Sequence, residues 1–175
     1  MKTKQLTIDA MMAAMCAVLG YLAIDLGTIK ITFENLPVII AGLVYGPIDG
    51  LLVGGIGSFI YQMLRYGWSA TTLLWMLPSI AVGIIAGLFA KQNGYYNSKK
   101  QLSVIVLICE LAACALNTVA IYVDSKIFGY YQPGIISGAI VIRLLIAFAK
   151  AVAYSFLMIP ILTAVAKYTH KKKQS

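Results

Sequence analysis

The chain has 175 residues, of which 61% are hydrophobic and 11% are charged, and its formal net charge is +8. Together with a mean hydropathy of +0.86, this composition excludes a water-soluble or disordered chain and favours a polytopic membrane protein. The length predicts a single integral-membrane domain over residues 1–175.

Apolar runs bounded by charges, glycine or proline predict six membrane spans, at about 7–24, 35–45, 48–64, 71–90, 102–123 and 137–166. The first run follows Lys2 and Lys4 but lacks a small-residue cleavage site, so we interpret it as a retained span rather than a signal peptide. The second run is too short to cross a bilayer upright. It is either tilted or extended by part of the preceding loop.

The basic residues predict the orientation of these spans. An even number of spans puts both termini on one side, and the lysines near the termini and at 91–100 fall on that side. Because cytoplasmic loops are enriched in lysine and arginine, we expect both termini to be cytoplasmic. This topology explains the positive charge without a nucleic-acid partner, and it places the polar, aromatic loops 25–34, 65–70 and 124–136 outside the cell.

The second and third spans contain an unusual number of glycines, namely Gly42, Gly46, Gly50, Gly54, Gly55 and Gly57. Glycine weakens a helix in water, whereas small residues in lipid let neighbouring backbones approach closely. We therefore expect these spans, hinged at Gly46 and Pro47, to pack against or move against other helices.

Three ionisable residues lie within the last two spans, where a charge is by default a hypothesis of function. Counted from the outer span ends, Glu110 and Lys150 are level at a depth of roughly 20 Å, which predicts an ion pair. Asn117 and Arg143 are level at roughly 9 Å. Since arginine has a planar fork that suits a carboxylate, we interpret Arg143 as a ligand contact. Snorkelling or a structural bond to Asn117 are the alternatives.

Aromatic, amide and hydroxyl side chains are concentrated around the loop between spans three and four. They are Tyr61, Gln62, Tyr66, Trp68, Thr71, Thr72 and Trp75, and the cation Arg65 lies among them. Aromatic residues at this depth commonly anchor a protein at the lipid headgroups. Beside a cation, they also suit a platform that stacks a flat heterocycle, which is the interpretation we favour.

Other functional classes lack their motifs in this sequence. It has no Walker-type loop for ATP hydrolysis, no selectivity filter or charged ring, and no inverted repeat. It also has no constellation for catalysis or metal binding, since the single histidine, His170, lies in the basic tail. Cys16, Cys109 and Cys114 have no spacing typical of disulfides or zinc sites. We predict a receptor-like binder that is not an enzyme and needs no metal or cofactor.

Two segments carry a family resemblance. The first span reads LTIDAMMAAMCAVLGYLA and contains the small-residue pairs Ala10/Ala14 and Ala13/Ala17, and the next two read LPVIIAGLVYGPIDGLLVGGIGSFI. These segments resemble the substrate-binding S components of energy-coupling factor (ECF) vitamin transporters, and the resemblance covers almost the whole chain. The stretch LRYGWSATTLLWMLPSIAVG is most similar to folate-type members.

The resemblance implies a compact all-α bundle of six transmembrane helices in the plasma membrane of a prokaryote, which captures a vitamin outside the cell. Import is implied to need a shared module, made of a transmembrane coupling subunit (EcfT-type) and two cytoplasmic ATPases (EcfA-type), that topples the S component in the membrane. The glycines and alanines of spans one to three would then form the sliding surface. Its implied partner contacts are Ala10, Ala13, Ala14 and Ala17.

A folate ligand fits the residues of the outer loops. The rings would stack on Tyr61, Tyr66, Trp68 and Trp75, and the carboxylates would be neutralised by Arg65, Arg143, Lys30 or Lys126. The predicted substrate site is completed by the polar residues Gln62, Thr72 and Asn117.

The sequence also fits other ligands and two other classes of function. Pantothenate, riboflavin, thiamine or a pyrimidine precursor would use the same types of residue. A stand-alone secondary transporter, coupled to an ion gradient through Glu110 and Lys150, is a second class of function. A structural or assembly subunit without a ligand is a third.

Overall fold

The computed structural model describes residues 3–25, 30–93 and 99–171, without the side chains of 25, 30, 135–139 and 163–171. In that part of the chain the elements are α1 (Thr3–Tyr21), β1 (Ile24–Asp25), β2 (Lys30–Ile31), α2 (Asn35–Tyr45), α3 (Pro47–Tyr66), α4 (Thr72–Gln92), α5 (Lys99–Ile127) and α6 (Pro133–Lys171). The predicted helical architecture is confirmed, and each predicted span overlaps one helix. The sequence pattern did not predict the small β1–β2 hairpin, in which Ile24 pairs with Ile31.

Three helical stretches are long and apolar enough to cross a membrane, among the residues described. They are Thr72–Gln92, Lys99–Ile127 and Ile140–Leu162. Large apolar side chains on the outside of the bundle, such as Val152 and Phe156, are exposed, as expected of a surface that faces lipid. The count of six spans and the side on which the termini lie stay predictions.

Helix α2 is short because the chain before it is not helical. Its 11 residues begin at Asn35, and the Asn35 amide donates a hydrogen bond of 3.0 Å to Glu110, near the middle of α5. Helix α2 therefore starts about halfway along the bundle. The remaining height at this position is occupied by irregular chain that follows β2, and this leaves space between that segment and the longer helices.

The glycines of α2 and α3 are used for contacts inside the bundle. A Cβ atom added to Gly50 would lie 2.5 Å from the carbonyl oxygen of Gly83 in α4, and one added to Gly54 would also meet the α4 backbone at 2.5 Å. One added to Gly57 would lie 2.6 Å from Sγ of Cys16 in α1. For Gly42, Gly50, Gly54 and Gly57 the prediction of a surface that slides against a partner is wrong, because neighbouring helices of this chain already cover them.

The predicted hinge between α2 and α3 is confirmed. Gly46 has a φ of 119°, which residues with a side chain rarely adopt. Pro47 follows at the start of α3, where its missing N–H costs no helical hydrogen bond. The two helices are therefore joined tightly and run in opposite directions.

The helix connections define the two ends of the bundle. The chain alternates in direction, so the α1–α2, α3–α4 and α5–α6 connections lie at the end opposite the N-terminus of α1 and the C-terminus of α6. We call this the distal end. The apolar core, with Val38, Ile39, Val82 and Val106 fully buried, lies nearer the other end.

Candidate functional site

A cavity of about 480 Å³ lies at the distal end, between the segment that precedes α2 and the helices α3 to α6. This volume is typical of a site for a small molecule. The polar and aromatic residues on its walls are Thr32, Glu34, Tyr61, Gln62, Tyr66, Ser69, Thr71, Trp75, Glu110, Asn117, Asp124, Phe128, Tyr130, Arg143 and Lys150.

Six of the nine residues predicted for the substrate site line this cavity. They are Tyr61, Gln62, Tyr66, Trp75, Asn117 and Arg143. Tyr61 and Tyr66 pack edge to face with ring centroids 6.0 Å apart, and their hydroxyl oxygens are 3.4 Å apart. Helix α3 thus presents an aromatic and amide wall to the cavity.

Arg65 and Trp68 lie elsewhere. The Arg65 guanidinium donates a hydrogen bond of 3.0 Å to the carbonyl oxygen of Tyr21, so it stabilises the C-terminal end of α1, where a cation is favourable. The Trp68 side chain is 67% exposed and meets Phe59 edge to face. Its position suits the other role of aromatic residues at this depth, an anchor at the level of the lipid headgroups.

Thr72 is buried but does not line the cavity. Its hydroxyl oxygen accepts a hydrogen bond of 2.9 Å from the backbone N–H of Ser69, and so it closes the turn between α3 and α4. A hydroxyl that satisfies backbone donors at the start of a helix is a common role for threonine. Thr72 therefore stabilises the loop without lining the cavity, whereas its neighbour Thr71 lines it.

Of the two lysines considered as carboxylate partners, Lys126 does not line the cavity. The Lys126 ammonium lies 3.9 Å from the ring centroid of Tyr131 and 5.9 Å from that of Tyr122. This cation–π arrangement holds Lys126 away from the cavity walls. The Lys30 side chain lies outside the described residues.

Asp124, which was not predicted as a site residue, joins three elements around the cavity. Its carboxylate accepts hydrogen bonds from the Thr71 hydroxyl at 2.5 Å, from the Trp75 indole N–H at 3.2 Å and from the Tyr130 hydroxyl. Burial, together with the neighbouring Asp124 carboxylate, raises the pKa of Tyr130 to about 12. Tyr130 therefore stays a neutral donor at physiological pH and keeps the α5–α6 connection on the cavity.

The predicted ion pair between α5 and α6 is confirmed. Lys150 Nζ lies 2.8 Å from Glu110 Oε2, and the side chain of Glu110 is 2% exposed. The other Glu110 oxygen accepts the hydrogen bond from Asn35. Both oxygens of this buried carboxylate are thus occupied, as the cost of burying a charge requires.

Two buried polar atoms on the cavity walls lack a hydrogen-bond partner within the described residues: Oε2 of Glu34 and Nη1 of Arg143. Nη1 of Arg143 therefore makes no hydrogen bond to Asn117, the partner that the structural alternative assigned to it. The described residues contain no group of three His, Cys, Asp or Glu side chains placed to hold a metal ion.

A spacing in the sequence would have identified Asp124 as a site residue. Glu110, Asn117 and Asp124 are seven residues apart on α5, and Arg143 and Lys150 are seven apart on α6. Residues at this interval, two helical turns, lie on the same face of a helix. Two polar stripes within apolar helices therefore predict two facing walls. Glu34 has no such signal, because it precedes α2 on irregular chain.

The alanines predicted as partner contacts face in two directions. Ala10 and Ala14 are exposed, whereas Ala13 and Ala17 are 2% and 4% exposed and pack within the bundle. A shallow, mainly apolar groove between α1 and α3 is lined by Ala13 and by the exposed pair Ala10 and Ala14. Only this pair presents its side chains to the surroundings.

Comparisons with known proteins agree with this architecture. Residues 4–166 match the model of the family described as ECF transporter, substrate-specific component. The solved S component of a bacterial ECF transporter is 18% identical, with a TM-score of 0.67 over 97% of this chain and 99% of that chain. The S component for biotin from an ECF-type ABC transporter is 18% identical, with a TM-score of 0.58 over 90% and 92%. At this identity both support the fold alone. No curated protein sequence matches the chain.

Proposed function

Because the chain belongs to the family of ECF transporter substrate-specific components, we propose that it is the folate-binding subunit of an ECF-type vitamin importer. A component of this kind is a subunit of a transporter and not an enzyme. In the proposal it resides in the plasma membrane of a prokaryote as a single six-span domain with both termini in the cytoplasm. It captures folate with high affinity from the outside.

One observation carries the choice of ligand: the cavity combines an aromatic wall with an unpaired guanidinium atom. Tyr61, Tyr66 and Trp75 offer ring faces and edges for a flat heterocycle. Arg143 Nη1 is buried and has no partner among the described residues, and an arginine binds a carboxylate with two parallel hydrogen bonds. Folate contains a pterin and an aminobenzoyl ring, which can pack on the aromatic wall, and a glutamate, whose carboxylates can bind Arg143.

Transport in this proposal requires partners. A transmembrane coupling subunit and two cytoplasmic ATPases reorient the bundle so that the cavity faces inward. The groove between α1 and α3, with the exposed Ala10 and Ala14, supports a contact with the coupling subunit, because small residues allow close approach of another helix. The glycines of α2 and α3 contribute indirectly, by making the bundle a rigid unit that can reorient as one body.

The test is a binding panel on the purified protein in detergent or nanodiscs. Folate, pantothenate, riboflavin, thiamine and a hydroxymethyl-pyrimidine precursor are titrated separately by isothermal titration calorimetry. We expect tight binding of folate and weak or no binding of the others. Tight binding of another vitamin would replace folate, and the absence of any binding would contradict a ligand-capturing role.

Arg143 provides a second arm of this test. We expect Arg143→Ala to weaken folate binding more than Arg143→Lys, because lysine keeps the charge but loses the planar fork. Equal affinities in the wild type and both variants would remove Arg143 from the site.

The alternative of ion-coupled transport through Glu110 and Lys150 finds no support in the geometry. One Glu110 oxygen is paired with Lys150 and the other accepts a hydrogen bond from Asn35, so both are occupied. Such a pair is typical of a structural contact that holds α5, α6 and α2 together. Uptake of ligand by proteoliposomes that contain this chain alone would restore the alternative.

A further inference from the structure

We propose that Glu34 and Arg143 together determine which ligand the cavity accepts. Glu34 accepts two parallel N–H bonds from the edge of a heterocycle, and Arg143 binds an acidic group at the other end of the same molecule. The inference rests on the proposed function, since it assigns the two ends of the ligand within that cavity. It defines the substrate class as an elongated acid whose flat heterocycle has adjacent amino and ring N–H donors.

The other charged groups of the cavity already have partners. Lys150 is paired with Glu110 at 2.8 Å, and Glu110 also accepts the amide of Asn35 at 3.0 Å. Asp124 accepts three side-chain hydrogen bonds. None of these three charges is left to recognise a ligand without breaking a contact.

Glu34 and Arg143 differ from them, because each has a buried polar atom without a partner among the described residues. The Glu34 carboxyl group already has a hydrogen bond to the Thr32 side chain, but its Oε2 atom has none, and an unsatisfied polar atom on a buried charged group is costly. One unpaired atom is an acceptor and the other is a donor. A ligand that brings a donor to Glu34 and an acceptor to Arg143 satisfies both.

The two residues lie at different heights along the bundle. Glu34 directly precedes Asn35, which reaches Glu110, and the charges of both Glu110 and Lys150 act on its carboxylate. Arg143 precedes Lys150 by seven residues on α6, which places it about 10 Å closer to the distal end. The ligand therefore lies along the bundle axis, with its donor edge deep in the cavity and its acidic group near the distal end.

Tyr61 sets the chemistry of the deep end. A Cβ atom added to Gly20 would lie 2.8 Å from Glu34 Oε2 and 3.0 Å from the Tyr61 ring, so the carboxylate and the ring are side by side. A heterocycle that packs on the Tyr61 ring then directs its edge at the carboxylate.

A carboxylate is complementary to two adjacent N–H donors. The 2-amino-lactam edge of a pterin and the edge of a protonated 2,4-diaminopyrimidine both offer such a pair. A flavin offers a single N–H between two carbonyl groups, and pantothenate offers no heterocycle. The Glu34 carboxylate therefore favours pterins and diaminopyrimidines over these two vitamins.

The first experiment changes the ligand and the protein in parallel. Folate and 2-desaminofolate, which lacks the amino donor, are titrated into the wild type and into Glu34→Gln. We expect the wild type to bind the analogue roughly 10- to 100-fold more weakly than folate. The Glu34→Gln variant should bind folate more weakly than the wild type by a similar factor. Its affinity for the analogue should change little, because the analogue has no amino group to donate a hydrogen bond to Glu34. Equal losses for both ligands, or no loss for folate, would overturn the role of Glu34.

The second experiment separates the two ends of the ligand. 6-Hydroxymethylpterin has only the heterocycle, and p-aminobenzoylglutamate has only the acid. Glu34→Gln should weaken binding of the pterin fragment alone, and Arg143→Ala that of the acid fragment alone. If each substitution weakens both fragments to the same extent, the arrangement with two separate ends is wrong.

A matched control is available at the opposite end of the bundle. Asp49 is also a buried carboxylate, held by the Gln5 amide at 2.7 Å and remote from the cavity. Asp49→Asn should leave all four ligand affinities unchanged. A loss as large as that of Glu34→Gln would indicate a general effect of removing a buried charge and would overturn the assignment.

The outcomes for this inference and for folate itself are distinguishable. If the wild type binds a different vitamin and not folate, the folate proposal fails, and the same variants are titrated with that vitamin. A fall in its affinity in both Glu34→Gln and Arg143→Ala keeps the two residues as ligand contacts, but tight binding of riboflavin or pantothenate overturns the substrate class, because neither is an acid with two adjacent N–H donors on a heterocycle. An unchanged affinity in both variants overturns the assignment of the two residues, and a wild type that binds no vitamin overturns both proposals.

Discussion

Helices α2 to α4 and helices α5 and α6 use small and polar residues in opposite ways. Gly50 in α3 and Gly83 in α4 bring two backbones together so closely that a single added Cβ atom would clash. The facing surfaces of α5 and α6 instead hold polar side chains at intervals of seven residues, and they meet around a cavity. The comparison shows that the glycines form a rigid scaffold, whereas the polar stripes form the site.

The largest effect is expected at the ion pair between α5 and α6. Lys150→Met should lower the free energy of unfolding by about 3–5 kcal/mol, because it leaves the Glu110 carboxylate buried without its cation. Thermal unfolding followed by circular dichroism measures the loss. The double variant Lys150→Met/Glu110→Leu should recover most of it. A single variant as stable as the wild type would show that the pair contributes nothing to the fold.

A smaller loss is expected in the glycine scaffold. Gly83→Ala would place a Cβ atom 2.2 Å from the Gly50 carbonyl oxygen, and overpacking of this kind costs about 1–3 kcal/mol. Gly55→Ala is the matched control, since its nearest contact would be a side-chain atom of Ile80 at 3.6 Å. We expect Gly55→Ala to be neutral or slightly stabilising in the same unfolding assay. Similar losses in both variants would contradict the assignment of close backbone contact to α3 and α4.

The two tryptophans distinguish the cavity wall from the outer surface. Trp75 lines the cavity and donates to Asp124, whereas Trp68 is 67% exposed. Trp75→Phe should abolish most of the change in tryptophan fluorescence on ligand binding, and it should lower stability by about 1 kcal/mol through the lost hydrogen bond. Trp68→Phe should keep the fluorescence change. The reverse result would place the ligand outside the cavity.

The smallest effect on ligand affinity is expected at α1. Ala14→Trp should leave affinity unchanged, because Ala14 is exposed in the groove away from the cavity, but it should impair vitamin uptake when the energising module is present. Ala13→Trp should instead reduce the yield of folded protein, since Ala13 is 2% exposed. Normal uptake by Ala14→Trp would exclude this face as the contact with the coupling subunit.

Much of the fold was predictable because it depends on local patterns. The apolar run 35–45 coincides with α2 (Asn35–Tyr45), and the hinge at Gly46 is where a positive φ requires glycine. The Glu110–Lys150 pair was predictable from depth alone, because antiparallel neighbouring helices place residues at equal depth side by side. These inferences need only the rise of a helix and the length of each run.

The site was predictable only in part. Tyr61 and Trp75 line the cavity as expected, but Trp68, seven residues after Tyr61, turns away from it. Trp68 does not follow the helical periodicity of Tyr61, because α3 ends at Tyr66 and Gly67 has a φ of 71°. Arg65 was expected at the ligand and is instead held by the end of α1. Such a contact depends on where a distant segment ends.

Run lengths, charge spacing and glycine content were enough to establish a helical membrane protein with a buried ion pair and unusually close helix contacts. They were not enough to assign each glycine and alanine to a neighbour, because a small residue permits close approach without specifying the partner. The tertiary structure made that choice: it buried Gly50 and Gly54 against α4 and left Ala10 and Ala14 exposed. It also placed Glu34, from irregular chain, opposite α5 and α6 in the cavity, since contacts between segments distant in sequence are formed only when the helices pack.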